Sequence, residues 1–304
     1  EIPRDDLTIE RQLGSGAFGV VKKAKTEEPE EEKGKVLEIV PCAVKMLKEN
    51  PTESELRDLC NEIAIMALVG DHPNIVSLLG ACTVNGPLWL VVKLAENGCF
   101  LDYIKEHRSV VEYENTENKI HSYENVTEKT QGAPMTEKEK FKFAYEIAKG
   151  MRHLEKKKCV HRDLAARNIL LNVDNVAMVS DFGLSRDVYE SGAYDNTTGG
   201  VLPVRWMAIE SLEDYTYTTK SDVWSYGVLL WEMESGGLMP YAGMSGVEIL
   251  ERLKQGYRLE KPSCCSQELY ALMYECWNPE PKNRPAFSII VSRLEETLRA
   301  KAVR

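Results

Sequence analysis

The sequence contains no C-x-x-C pair, so the usual spacing signature of a zinc site is missing. Its eight cysteines are scattered: Cys42, Cys60, Cys82, Cys99, Cys159, Cys264, Cys265 and Cys276. Most lie in apolar stretches, where a free thiol behaves as a small hydrophobe. A chain of this length can form a core without disulfide staples, and the pattern points to a reducing compartment. No apolar run approaches the ~18 residues that a membrane-crossing helix needs. Residues 1–10 carry no signal-peptide pattern. Positive charge is not in excess either: 38 Lys and Arg stand against 48 Asp and Glu, a formal net charge of −10. This argues against nucleic-acid binding through bulk charge, but not against an anionic ligand held by a few local donors. With 43% hydrophobic and 28% charged residues the chain reads as soluble and globular. At roughly 100–200 residues per domain, its length fits about two domains or lobes.

The first ninety or so residues read as strand-rich with one clear helix. An acidic loop spans residues 27–32, and residues 36–46 and 88–94 read as strands. Thr52 and Glu55 form a capping box, after which Leu56, Leu59, Cys60, Ile63 and Ala67 recur at helical spacing. Glu62 falls beside Met66 at the edge of that stripe, where a carboxylate calls for a cation. A polar stretch over residues 106–136 carries the near-repeat Tyr113-Glu-Asn-Thr and Tyr123-Glu-Asn-Val, a composition that predicts a flexible insertion. A second capping box, Thr136 with Glu139, predicts a helix burying Ala144, Ile147, Ala148, Met151 and Leu154. Lys156, Lys157 and Lys158 suit its C-terminal dipole. Residues 221–234 are apolar on all sides, as expected of a helix inside a large core.

Four motifs carry chemistry. Gly14-Ser15-Gly16-Ala17-Phe18-Gly19 fits G-x-G-x-x-G, which alone allows a dinucleotide site, a Walker loop, a phosphate-covering hairpin or a plain turn. Val20-Val21 follows, which favours a strand over a helix and lacks the Lys-Ser/Thr of a Walker loop. Lys45, in Cys42-Ala43-Val44-Lys45, can pair with Glu62 and reach phosphates. In His161-Arg162-Asp163-Leu164-Ala165-Ala166-Arg167-Asn168, Asp163 can accept a hydroxyl proton and Asn168 can ligate a metal. Asp181-Phe182-Gly183 offers a hard oxygen ligand for Mg²⁺. Their joint order and separation argue against coincidence.

Over essentially its whole length the chain resembles the eukaryotic protein kinase catalytic domain. The resemblance implies a bilobal α+β fold: a small β-rich lobe over residues 1–94 and a larger, mainly helical lobe over 95–304, with an insert at about 106–136 and ATP between the lobes. By position, Lys45 and Glu62 would form the activating ion pair. Leu13, Gly14, Ser15, Gly16, Ala17, Phe18 and Gly19 would cover the phosphates. Val21, Ala43 and Leu170 would sandwich adenine, with Val92 as gatekeeper and Lys93 to Ala95 as hinge. Asn168 and Asp181 would hold Mg²⁺, Asp222 would anchor the catalytic loop, and Arg284 would pair with Glu210.

Ala165 and Arg167, where serine/threonine kinases usually have a lysine two residues after the aspartate, resemble receptor-type tyrosine kinases. So does Leu202-Pro203-Val204-Arg205-Trp206-Met207, the platform for a substrate tyrosine. Leu79-Gly80-Ala81-Cys82 and the insertion resemble the fibroblast growth factor receptor branch, whereas Asp187-Val188-Tyr189-Glu190 is similar to the insulin receptor. Lys93-Leu94 at the hinge and Ile209 before Glu210 depart from the usual pattern. Ala193-Tyr194 stands where relatives often carry two tyrosines.

The resemblance implies a tyrosine kinase acting on protein substrates, regulated by phosphorylation of Tyr194 and Tyr189, with Arg162 as a phosphate partner. It further implies a receptor dimer for trans-autophosphorylation on the cytoplasmic side of the plasma membrane. Src-homology-2 adaptors would dock at Tyr113 and Tyr123, for which the plainer reading is a polar spacer. A pseudokinase scaffold would have lost Lys45, Asp163 or Asp181, and all three are present.

Overall fold

The computed structural model describes residues 1–15, 19–29, 37–108, 132–182, 186–187 and 202–302. Strands β1 (Leu7–Ser15), β2 (Gly19–Pro29) and β3 (Leu37–Leu47) lead into helix α1 (Glu53–Val69). Then β4 (Leu78–Cys82) and β5 (Trp89–Lys93) complete an antiparallel five-stranded sheet in the order β1-β2-β3-β5-β4. The two strands anticipated over residues 36–46 and 88–94 are β3 and β5, each shifted at its ends by about a residue.

Register divides the sheet into two faces. Val21 lies opposite Lys45, Ala43 opposite Val92, and Lys45 opposite Leu90. Cross-strand partners share a face and alternate residues along a strand return to it. Val21, Ala43, Lys45, Leu90 and Val92 thus line one side. The other side buries Cys42, Val44 and Val91 with Leu7, Ala24 and Cys82 in a small separate core.

Helix α1 starts as its capping box predicts. Thr52 Oγ1 accepts from Glu55 N at 3.2 Å, and Glu55 Oε2 accepts from Thr52 N at 2.7 Å. Its buried face differs from the expected stripe. Leu59, Glu62, Ile65, Met66 and Val69 face inward, while Leu56, Cys60 and Ala67 are exposed. Glu62 is therefore at the middle of the buried face, not at its edge. A count of apolar residues weighs every one alike. The helix is instead oriented by the partners that the rest of the chain offers to Glu62.

The second half is helical. Helices α2 (Phe100–Glu106) and α3 (Glu137–Lys156) precede a two-residue strand β6 (Cys159–Val160) and the hairpin β7 (Ile169–Leu171) and β8 (Ala177–Val179). A short β9 (Arg186–Asp187) pairs with β6. Helices α4 (Ile209–Glu213), α5 (Thr219–Glu234), α6 (Gly246–Lys254), α7 (Gln267–Cys276) and α8 (Phe287–Ala302) complete the chain. The expected inward face of α3 is buried, and α5 is buried at every position from Ser221 to Glu234. The ends of the anticipated insertion are held side by side, since Gly132 N donates to Glu106 O and Met135 N donates to His107 O. Its tyrosines, Tyr113 and Tyr123, lie outside the described residues.

The two halves are stitched together behind the cleft. Val76 N donates to Val179 O, Val179 N to Asn74 O, and the Asn74 amide Nδ2 to Ala177 O, each at 2.9–3.0 Å. Helix α3 approaches this seam through Gly150, where an added Cβ would lie 2.4 Å from the Asn74 carbonyl oxygen. Gly150→Ala must push backbone against backbone and is expected to lower unfolding stability by roughly 1–3 kcal/mol. A urea melt with an unchanged midpoint would show that the seam yields freely.

Candidate active site

The sheet face defined above presents Lys45 to α1. Its Nζ contacts both carboxylate oxygens of Glu62, at 3.0 and 2.7 Å, and lies 3.7 Å from Asp181 Oδ1. The Glu62 side chain is 6% exposed, so its charge depends on this partner. Burial alone would lower the pKa of the Lys45 ammonium, but Glu62 and then Asp181 outweigh it and the net shift is upward. Burial pulls Glu62 toward its neutral form, against the pull of Lys45. The two-oxygen contact is that of an ion pair, and we take both groups as charged. Glu62 also accepts from the Phe182 backbone N–H, which joins α1 to the Asp181 segment. Phe182 is buried against the His161 ring, with centroids 5.6 Å apart.

Asp163 sits on the loop between β6 and β7. The loop is held from beneath by α5: Asp222 accepts from His161 N at 2.8 Å and from Arg162 N at 3.0 Å. His161 Nε2 donates to Ser180 O at 2.9 Å, tying the loop to the residue before Asp181. Arg162 and Asp181 both have positive φ, 70° and 61°, a left-handed conformation that costs energy outside glycine and tends to gather at functional sites. Burial pushes the Asp163 carboxyl above the usual range, more than Arg167 and His161 pull it down. A raised carboxyl suits a group that must accept a proton near neutral pH. Arg167 pairs with Asp163 Oδ1, and its guanidinium lies 4.3 Å over the Trp206 ring.

The hairpin β7–β8 brings Asn168 and Asp181 to the same end, because Ser180 N donates to Asn168 O at 2.9 Å. Asn168 Nδ2 donates to the Asp163 carbonyl at 2.7 Å and to its carboxylate at 2.8 Å. The amide nitrogen is thus committed and the amide oxygen remains as a hard donor. With the Asp181 carboxylate it forms an oxygen set that suits Mg²⁺.

Val21, Ala43 and Val92 share the sheet face above the cleft, and Val92, Ala95 and Leu170 are half-buried against the main core. At the hinge, Lys93 is exposed and Leu94 is buried with its N–H directed to Pro41 O at 3.4 Å. The atypical Lys93 therefore turns to solvent. Gly14 and Ser15 pair across the β1–β2 hairpin with Val21 and Val20, and Leu13 is exposed. A strand, not a helix, follows Gly19, which removes the dinucleotide and Walker readings. A Cβ at Gly19 would lie 2.1 Å from Met46 O, so only glycine fits there. Gly16, Ala17, Phe18, Gly183, Tyr189 and Tyr194 lie outside the described residues.

Farther out, Arg284 is fully buried and grips Glu210 with two bonds, at 2.6 and 2.8 Å, so Ile209 does not prevent that pair. Arg205 pins the 202–207 segment to the main-chain oxygens of Pro240 and Met244, at 2.8 and 2.9 Å. Sequence reasoning missed Glu232. Its Oε2 accepts from Ala166 N at 2.9 Å and from Trp206 Nε1 at 2.8 Å, and burial pushes its carboxyl up to about 7. The one available signal was an acidic residue, with Asp222 and Glu234, inside a helix apolar on all sides.

A two-lobed fold whose cleft gathers an ammonium–carboxylate pair, a buried aspartate with a raised carboxyl and an Asn/Asp oxygen set fits a protein kinase catalytic domain. A family model described as protein tyrosine and serine/threonine kinase matches residues 7–294, nearly the whole chain. The chain belongs to that family.

The Glu232 carboxyl ionises only near neutrality when folded and at its ordinary value of 4.5 when unfolded. Between those values the folded state binds the extra proton, so this group's contribution to stability falls as pH rises. Glu232→Gln should remove a loss on the order of 3 kcal/mol between pH 5 and pH 8. Denaturant melts of the parent and Glu232→Gln would check this; equal pH slopes would contradict it.

Proposed function

We propose that this protein kinase transfers the γ-phosphoryl group of ATP to tyrosine hydroxyls of protein substrates. The observation that carries this reading is the position of Arg167, which links the Asp163 carboxylate to the face of Trp206. We read this stack, with the likeness of the 202–207 segment to the tyrosine-kinase platform, as favouring a tyrosine over a serine acceptor. Ala165, fully buried, supplies no lysine of the serine/threonine type.

In this reading Asp163 orients the phenol and takes its proton as the phenolic oxygen attacks the γ-phosphorus and the bond to the bridging oxygen of ADP breaks. Lys45, fixed by Glu62, would position the α- and β-phosphates, and the backbone of Ser15–Gly19 would cover them. Asn168 and Asp181 would hold Mg²⁺, whose role when bound is to neutralise phosphate charge. Val21, Ala43 and Leu170 would enclose adenine, Val92 would limit the pocket depth, and the main chain of Lys93 and Ala95 would meet the adenine edge. Most of the rate gain in such a site comes from placement and electrostatics.

The regulatory reading extends this. Phosphate on Tyr194 and Tyr189 would order the activation segment through Arg162, which stacks over the Tyr217 ring at 4.9 Å beside the catalytic loop. The domain would serve as the intracellular part of a single-pass receptor, dimerising for trans-autophosphorylation on the cytoplasmic side of the plasma membrane. Among the described residues no helix is long and apolar enough to cross a membrane. Phosphorylated Tyr113 and Tyr123 would recruit Src-homology-2 adaptors.

Incubation with Mg-ATP and peptides bearing only tyrosine, or only serine and threonine, tests the assignment. Tyrosine peptides alone should be labelled, and Asp163→Asn should lower kcat by roughly 10²–10⁴-fold. Serine labelling, or a parental rate in the variant, would sink it; no transfer by the parent would favour a binding scaffold. Mass spectrometry of the activated protein should find phosphate at Tyr194, and its absence there would remove the activation-segment reading.

A further inference from the structure

Helix α5 is buried from Ser221 to Glu234, yet it carries Asp222, Ser225 and Glu232 along one stripe. Each of these side chains reaches a functional segment. Asp222 holds the backbone of His161 and Arg162. The Ser225 hydroxyl donates to the Trp206 carbonyl at 2.7 Å. One oxygen of Glu232 takes both the Ala166 backbone N–H and the Trp206 indole N–H. Glu232 is therefore shared between the catalytic loop and the platform.

From that platform the contacts run on to the reacting side. The Trp206 ring lies under the Arg167 guanidinium, and Arg167 pairs with Asp163. We propose that Glu232 is a positioning residue for the protein substrate: by fixing the indole ring relative to Ala166 it sets Arg167, and through Arg167 the orientation of the Asp163 carboxylate toward the acceptor hydroxyl. This rests on protein kinase activity and not on which hydroxyl is the acceptor.

A carboxyl is a costly way to fill space inside a helical core. A methionine or leucine would pack there without desolvating a polar group. Two donors converge on a single oxygen, which fixes the angle between loop and ring and not merely their distance. Without that oxygen the Ala166 and indole N–H groups become buried and unpaired, and both segments must move to satisfy them. Burial raises the carboxyl to about 7, and neutral or charged it still offers the same acceptor oxygen. Glutamine can do likewise, and methionine cannot.

The test compares the parent with Glu232→Gln, Glu232→Met and Trp206→Phe, using Mg-ATP and whichever acceptor peptide the parent phosphorylates. Peptide kcat/KM, peptide-free ATP hydrolysis and the Mg-ATP-induced rise in Tm are measured for each. Glu232→Met should lower peptide kcat/KM by about 30-fold or more, and by about tenfold more than it lowers ATP hydrolysis, because only the transfer to peptide needs the platform in register. Glu232→Gln should restore peptide kcat/KM to within about threefold of the parent. Trp206→Phe, which keeps a ring under Arg167 but loses the N–H donor, should cost about 3–10-fold in the same parameter. Parallel loss of hydrolysis and transfer in Glu232→Met, a glutamine variant as poor as the methionine one, or parental kinetics in Glu232→Met would each overturn the proposal. Should Glu232→Met fail to fold, the other two variants decide: near-parental glutamine with impaired phenylalanine supports it, and the reverse pattern overturns it. A parent active only on serine peptides would remove the tyrosine reading while leaving this comparison intact.

Discussion

From Ser221 to Glu234 helix α5 has no solvent face, so its polar side chains can be satisfied only from within the protein. Asp222, Ser225 and Glu232 do so by bonding to main-chain groups of two irregular segments and to one indole. Loops gain in return a rigid base that they could not build from their own residues. The loop bearing Asp163 and the platform bearing Trp206 thus inherit their relative position from one helix. Burial makes the arrangement exacting, since in a low-dielectric interior an unmade bond costs more than at a surface.

The sheet half depends on this base through a second constraint. Lys45 enters the cleft from β3, but Glu62 and Asp181, its partners, come from α1 and from the segment after β8. All three groups meet only when the sheet, the helix and the far half are docked together. Glu62 also binds the Phe182 backbone, and Phe182 packs on His161, whose main chain is held by Asp222. A continuous set of contacts therefore runs from the sheet face to the floor of α5, crossing the cleft at its charged centre. Asp163 lies beside this path, with its carboxyl raised by burial and its geometry set by Arg167 and Asn168.

Much of this was legible in the sequence where the cause is local. The capping boxes at Thr52 and Thr136 depend on residues three apart, and both helices start where those pairs predict. The inward face of α3 and the all-round burial of α5 follow from periodicity. The motifs around Asp163, Asp181 and Lys45 were recognisable because their chemistry restricts residue type at short spacing. The inward face of α1 was misjudged for the converse reason. Leu56, Cys60 and Ala67 look as apolar as Leu59 and Met66, and only the position of Lys45 shows which side turns inward. Glu232 escaped notice because nothing beside it in the chain reveals that Ala166 and Trp206 meet at its carboxylate.

By itself the sequence determined the order of elements and the half of the chain rich in strands, and it marked the candidate site residues, since these follow from period, capping and residue chemistry. Tertiary structure decided which groups act as pairs. The bond from Lys45 to Glu62, the stack of Arg167 on Trp206 and the double acceptor at Glu232 join residues distant along the chain. Such contacts depend on burial and on the docking angle of whole elements, and a linear pattern carries neither.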